Sequence, residues 1–224
     1  GKQIDIYIES IKSKIFKNFG ENFPFPENGY QGENVIEISN KIISKLNIDK
    51  DNVEKIDNKK IKDASIKFTL EQIKQDLSSL GIEYDNWFFE SSLFENNTIE
   101  KVRQTLNEKN LIFKKDGAEW FKSSAFYTEN DVVLKRSKNE GHTYFFSDIA
   151  YHYDKFLIRN YDEVINIFGA DHHSHVDRLK SAVKALDIDT KKLKILLTQI
   201  VHFKNENKIQ KFSKRSGNIY TVKD

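Results

Sequence analysis

The chain contains no cysteine. A disulfide framework, a thiolate zinc site and a cysteine nucleophile are therefore all excluded, and the composition suits a reducing cytosol. Methionine is also absent, although a usage of roughly 2% predicts about four or five in a chain of this length. Proline occurs twice and glycine nine times among 224 residues, too few for a collagen-like or Gly/Ser-linker composition. No apolar run approaches the length of a membrane span, and the N-terminus, Gly1-Lys2-Gln3-Ile4, lacks the charged-then-apolar pattern of a signal peptide. There is little excess of either charge. Thirty-six Lys and Arg against 34 Asp and Glu give a net charge of +2, which excludes a globally polybasic nucleic-acid binder and leaves local basic loops open.

What is present is aromatic and charged. Seventeen Phe, nine Tyr and two Trp can build a core even though the mean hydropathy is −0.64. Ile4, Ile8, Ile11, Ile15 and Phe19 recur every three or four positions and predict a first helix. Both prolines lie in Phe23-Pro24-Phe25-Pro26 and break it. A second helix fits Glu33 to Leu46, with Val35, Ile38, Ile42 and Ile43 inward. The polar stretch Asn47 to Lys60 reads as a loop or surface linker, and helical periodicity resumes from Ile61 to Leu80 before Gly81. Beyond Asp85, short aromatic and β-branched runs at Trp87 to Phe89, Leu111 to Phe113, Val132 to Leu134 and Tyr144 to Phe146 predict strands. Between them Ile99 to Leu106 reads as a helix capped by Thr98. The last third alternates as helix Ser147 to Leu157, strand Val164 to Phe168, helix His172 to Leu186 and strand Ile195 to Phe203, a parallel α/β unit.

Three segments could carry chemistry. Gly169-Ala170-Asp171-His172-His173-Ser174-His175 leaves a predicted strand and opens a helix, where open α/β sheets bind ligands. Glycine permits close approach to a nucleotide, Asp171 can accept from ribose hydroxyls, and a helix N-terminus favours negative charge. The same spacing is also satisfied by an Asp N-cap among polar residues, or by a histidine metal site at His172, His173 and His175. Lys208 to Asn218 places four cations, two serines and a glycine in eleven residues, either a loop that closes over polyphosphate or a solvated basic loop. Thr143 to Asp148 joins a predicted strand to a predicted helix, so Tyr144 and Asp148 could face a pocket, and Asp148 could equally cap the helix. Glu90, after the run Trp87 to Phe89, carries the same ambiguity.

Taken together, Gly169-Ala170-Asp171-His172-His173 followed about forty residues later by Lys211-Phe212-Ser213-Lys214-Arg215 resembles the second half of a class I aminoacyl-tRNA synthetase catalytic domain. The latter segment is similar to the KMSKS loop. Thr143 to His152, Asp116-Gly117-Ala118-Glu119-Trp120, and Phe23 to Pro26 with Gly29-Tyr30 narrow the resemblance to arginyl-tRNA synthetases, from Gly1 to Asp224. The fold implied is α/β, the second half of a Rossmann-type nucleotide-binding fold with a mixed α+β connective insertion. The implied division is a catalytic-domain helix at 1–19, the insertion at 20–140, and the second half of the nucleotide fold at 141–224.

In that family arginine and ATP form arginyl adenylate, and the arginyl group passes to tRNA(Arg). The resemblance implies that Lys211, Ser213 and Lys214 serve the phosphates and that Gly169 and Asp171 border the adenosine. It also implies that Tyr144, Asp148, Glu90 and His172 surround the arginine, while Arg215 takes no role. A planar cation with five donors calls for carboxylates in fixed geometry and an aromatic wall. ATP with Mg²⁺ held through its phosphates, tRNA(Arg) and L-arginine as partners, a monomer without membrane attachment and a cytoplasmic setting are implied likewise. The family's His-x-Gly-His motif does not occur here, nor does its helical anticodon-binding domain, so the resemblance implies an excerpt inactive by itself. A non-catalytic nucleotide- or tRNA-binding paralogue and a class I synthetase for another amino acid remain alternatives.

Overall fold

The computed structural model describes residues 2–137, 141–199, 204–205 and 208–209. These fall in two compact units, the first taking residues up to Asp85 together with those from Phe203 onward and the second running from Asn86 to His202.

The first unit is built on three helices, α1 (Lys2–Asn18), α2 (Glu33–Leu46) and α3 (Asn58–Ser79). Ile11 and Ile15 of α1, Val35, Ile38 and Ile42 of α2 and Ile61 of α3 are sealed from solvent in one cluster, the stripe that the three- and four-residue spacing predicts. Ile4 at the start of the stripe is 47% exposed, so the stripe buries only from its second turn onward. The Ser39 hydroxyl donates to the Val35 carbonyl at 2.6 Å, with the Ile11 carbonyl of α1 at 3.3 Å, which satisfies this polar group within the core. Asn47 ends α2 in the left-handed conformation at φ 50°, a position that Asn tolerates better than most residues.

Two corrections to the sequence reading arise here. The stretch from Asn47 to Lys60 is not simply a surface linker, because Ile48 and Val53 are buried in the three-helix core. Its polar residues fold it locally, with the Asp49 carboxylate accepting from the backbone of Asp51 and Asn52 at 3.0 Å each. Helix α3 also starts three residues early, since the Asp57 side chain accepts from Lys59 N at 2.8 Å and caps it. Its end is as expected: Gly81, at φ 72°, allows Ile82 N to reach back to the Leu77 carbonyl.

In the second unit, α4 (Ser91–Glu95) and α5 (Thr98–Glu108) precede an antiparallel sheet of β1 (Ile112–Lys115), β2 (Ala118–Phe121) and β3 (Val132–Lys135), in that order. Strand β2 was not foreseen. Its signal is the turn Asp116-Gly117, both at positive φ (52° and 73°), the two-residue connection that matches strand twist. Helix α6 (Tyr144–Tyr153) runs into a wider π turn over Asp154–Ile158. Then β4 (Val164–Gly169), α7 (His175–Ala185) and β5 (Leu193–Thr198) form the expected parallel unit, paired from Val164↔Leu193 to Gly169↔Thr198; β5 begins two residues before the expected Ile195, and Ile200 to Phe203 of the expected strand lie outside the described residues. A two-residue antiparallel pairing of β6 (Lys204–Asn205) with β7 (Lys208–Ile209) belongs to the first unit.

Trp87 to Phe89 and Tyr144 to Phe146 are not strands. The first carries no strand, and its Phe88 ring stacks on Tyr151 with the centroids 4.2 Å apart. The second is the first turn of α6, because Thr143 caps it by accepting from Phe146 N, and Phe145 and Phe146 enter the core from there. The cap and burial override aromatic β-propensity. Thr98 is likewise the first residue of α5 rather than its cap, a place taken by Asn97 at φ 56°. Phe121 and Leu134 lie in one cluster with Phe146, Ile149, Leu179 and Val164.

Candidate functional site

Of the expected residues that the structure describes, Gly169, Asp171 and His172 follow the C-terminal end of β4, and Asp148 is joined to them through His175. Strand β4 alternates Val164, Asn166 and Phe168 toward the core with Ile165 and Ile167 outward. It ends at Gly169, from which a single turn over Ala170–His172 leads into α7. A Cβ on Gly169 would meet Asp171 Oδ1 at 2.5 Å, so glycine lets the Asp171 carboxylate fold back against the strand end. The side chains of Asp171 and His172 are 62% and 60% exposed, 3.8 Å apart. The expected helix at His172 to Leu186 therefore begins at His175, after this turn.

Helix α6 supplies the facing groups. With Thr143 as the cap, Asp148 lies in the second turn and is not a capping residue. Its Oδ2 instead meets His175 Nε2 at 3.1 Å, joining α6 to α7. The His175 ring packs edge-on to Phe145 and Phe168, and the His172 ring lies 5.9 Å from Phe168 and 6.5 Å from His175. Asp148, His172, Asp171 and Gly169 thus share one neighbourhood. Tyr144, 76% exposed, opens α6 one turn before Asp148. Glu90 is exposed at the start of α4, two residues after Phe88, whose ring rests on Tyr151 of α6. Lys211, Ser213 and Lys214 lie outside the described residues.

Beneath Asp148 lies a buried polar set that the sequence reading missed. His152 is 3% exposed. Its Nδ1 bonds the Asp148 carbonyl at 2.8 Å and its Nε2 meets the Asn166 side-chain nitrogen at 2.8 Å. A carbonyl only accepts and an amide nitrogen only donates, so His152 is neutral with its proton on Nδ1. Lys155 Nζ donates to Asn166 Oδ1 at 3.3 Å and lies 4.1 Å from the Tyr151 ring centroid. Burial and then the Lys155 ammonium push the His152 pKa down to about 4; burial and then Arg159 bring Lys155 down to about 8. Arg159 donates to Asp154 Oδ2 at 2.6 Å and sits over the Phe88, Tyr151 and Tyr161 rings. The available signal was Asn166, a polar residue at an inward position of an alternating strand.

Among the described residues no three His, Cys, Asp or Glu side chains gather as a metal-ligand set, and no helix is long and apolar enough to cross a membrane.

A parallel strand-helix-strand unit, with carboxylate, histidine and glycine converging at the strand's C-terminal end, is the ligand-binding end of a nucleotide-type α/β fold. No family model matches the chain. Over 99% of its length it superposes, at TM-score 0.81 and 30% identity, on 48% of a Campylobacter jejuni structure described as an arginyl tRNA synthetase. It also shares the fold of the Plasmodium falciparum arginyl-tRNA synthetase, at TM-score 0.58 and 20% identity over 86% of this chain and 34% of that one. The architecture is thus the mixed α/β fold of the class I synthetases. In sequence the whole chain matches arginine–tRNA ligases, at 40% identity for that of Caldanaerobacter subterraneus and 35% for that of Bacillus licheniformis, covering 40% of each. The chain belongs to the arginine–tRNA ligase family as a segment, spanning about 40% of the length of the curated relatives it matches.

Proposed function

We propose that this chain is the part of an arginine–tRNA ligase that holds arginine and closes one side of the ATP site. The reading rests on the Asp148–His175 pair at the end of β4, in a chain homologous along its whole length to such ligases. Asp148 accepts from the guanidinium, Tyr144 forms an aromatic wall, His172 lies near the amino acid and Glu90 adds a second carboxylate. Gly169 and Asp171 border the adenosine, Asp171 toward the ribose. Lys211 and Lys214 neutralise the phosphates, with Ser213 supporting the same loop.

In the reaction, an arginine carboxylate oxygen bonds the α-phosphorus of ATP while the bond to pyrophosphate breaks. The 3′-terminal adenosine of tRNA(Arg) then attacks the arginyl carbonyl through a hydroxyl, and AMP leaves. The residues contribute positioning and charge stabilisation, with no covalent nucleophile. The exposed Asp171 and the open turn after Gly169 fit a ribose and phosphates. Mg²⁺ would arrive on the ATP phosphates, where it screens their charge. In family terms, residues 20–140 form the connective insertion and 141–224 the second half of the nucleotide fold, following the helix at 1–19. We place the complete ligase in the cytoplasm as a monomer.

The test is Asp148→Asn in the complete ligase, assayed by arginine-dependent ATP–pyrophosphate exchange with tRNA(Arg) supplied. Loss of one charged hydrogen bond raises the KM for arginine by roughly ten- to a hundredfold, with the KM for ATP little changed. An unaltered arginine KM removes the assignment.

A further inference from the structure

An exposed carboxylate on a helix turns about two side-chain bonds, so a site that reads a planar cation needs something to hold it. The Asp148 side chain is 43% exposed, and His175 Nε2 stands 3.1 Å from its Oδ2. His175 is itself fixed. As the first residue of α7, it places its ring 5.6 Å from Phe145 at 84° and 6.0 Å from Phe168 at 60°. Phe145 comes from α6 and Phe168 from β4. Edge-on packing against two aromatics orients the imidazole, with Nε2 3.1 Å from one carboxylate oxygen.

We infer that His175 is a positioning residue which locks the plane of the Asp148 carboxylate for a guanidinium; the inference rests on the reading of Asp148 given above. With Oδ2 held, Oδ1 and the remaining lone pair of Oδ2 stay available in one plane on a side chain that is 43% exposed. That arrangement suits parallel N–H donors from a planar cation and gives a rotating ammonium no comparable benefit. His175 therefore raises arginine affinity and widens the margin over lysine. It touches neither ATP nor the reacting carboxylate.

The experiment is ATP–pyrophosphate exchange by the complete ligase with tRNA(Arg) supplied, arginine and ATP being varied separately, for His175→Ala, His175→Gln, Asp148→Asn and the double variant His175→Ala/Asp148→Asn. His175→Ala is expected to raise the arginine KM about tenfold, with the ATP KM and kcat little changed. His175→Gln, whose amide N–H can reach the same oxygen, recovers most of the loss. The double variant is no worse than Asp148→Asn, because His175 has then nothing left to hold. An unchanged arginine KM in His175→Ala overturns the inference, as do parallel rises in both KM values without recovery by Gln, or additive losses in the double variant. If Asp148→Asn alone leaves the arginine KM unmoved, the assignment of Asp148 fails and this inference with it. If Asp148→Asn raises it and His175→Ala does not, only the inference fails. Should His175→Ala not fold, the judgement passes to His175→Asn, too short to reach Oδ2: the same rise supports the inference and an unchanged KM refutes it.

Discussion

Acidification from pH 7.5 to 5 should destabilise the second unit through His152. The imidazole titrates near 6.5 when unfolded and about 4 when folded, so between those values the unfolded chain binds the extra proton. Its contribution is complete above pH 6.5, declines as the pH falls toward 4, and is constant below. The gap corresponds to about 3 kcal/mol in full and about 2 kcal/mol at pH 5. Protonation at Nε2 would set two N–H groups against each other, and turning the Asn166 amide to accept would break the Lys155 bond to its oxygen. Both tryptophans, Trp87 and Trp120, lie in this unit, so urea unfolding followed by tryptophan fluorescence reports on it. His142 is lowered in the same direction by burial and Arg103, which makes the comparison with His152→Gln decisive. The variant should lose most of the pH slope between 7 and 5. An equal slope in both proteins, or an NMR titration of His152 with a midpoint near 6.5, would refute the reasoning.

Thr143→Ala removes the α6 cap and the hydroxyl's donation to the Val133 carbonyl at 2.8 Å; a loss of about 1–2 kcal/mol in urea unfolding is expected. Phe121→Ala empties a fully buried position of the second core and should cost about 3–5 kcal/mol by the same assay. In the complete ligase, Gly169→Ala displaces the Asp171 carboxylate. It should raise the KM for ATP severalfold while the arginine KM moves less, and equal effects on both would count against the adenosine assignment.

Regular spacing was legible where burial enforces it. The bounds of α2 follow from its apolar stripe, and the β4-α7-β5 unit from runs separated by one helix. Competing local signals misled elsewhere. Tyr144 to Phe146 has strand composition, but Thr143 commits it to a helix. Val53 looks isolated in a polar stretch until the three-helix core closes over it. Within the site, motif resemblance could point to Asp148 and His172. It could not show that Asp148 meets His175, which lies 27 positions away in the sequence, nor that His152 and Asn166 bond across two elements. Such pairs are created by tertiary packing and leave only faint traces, such as a polar residue on an inward strand face.

The central claim is that this segment serves arginine attachment to tRNA, and aminoacylation by the complete gene product tests it most directly. With tRNA(Arg), ATP and Mg²⁺, and each of the twenty amino acids offered singly, arginine alone should be esterified to the tRNA, and Lys214→Ala should abolish the reaction. Charging with a different amino acid, or no charging by a correctly folded complete protein, would contradict the account.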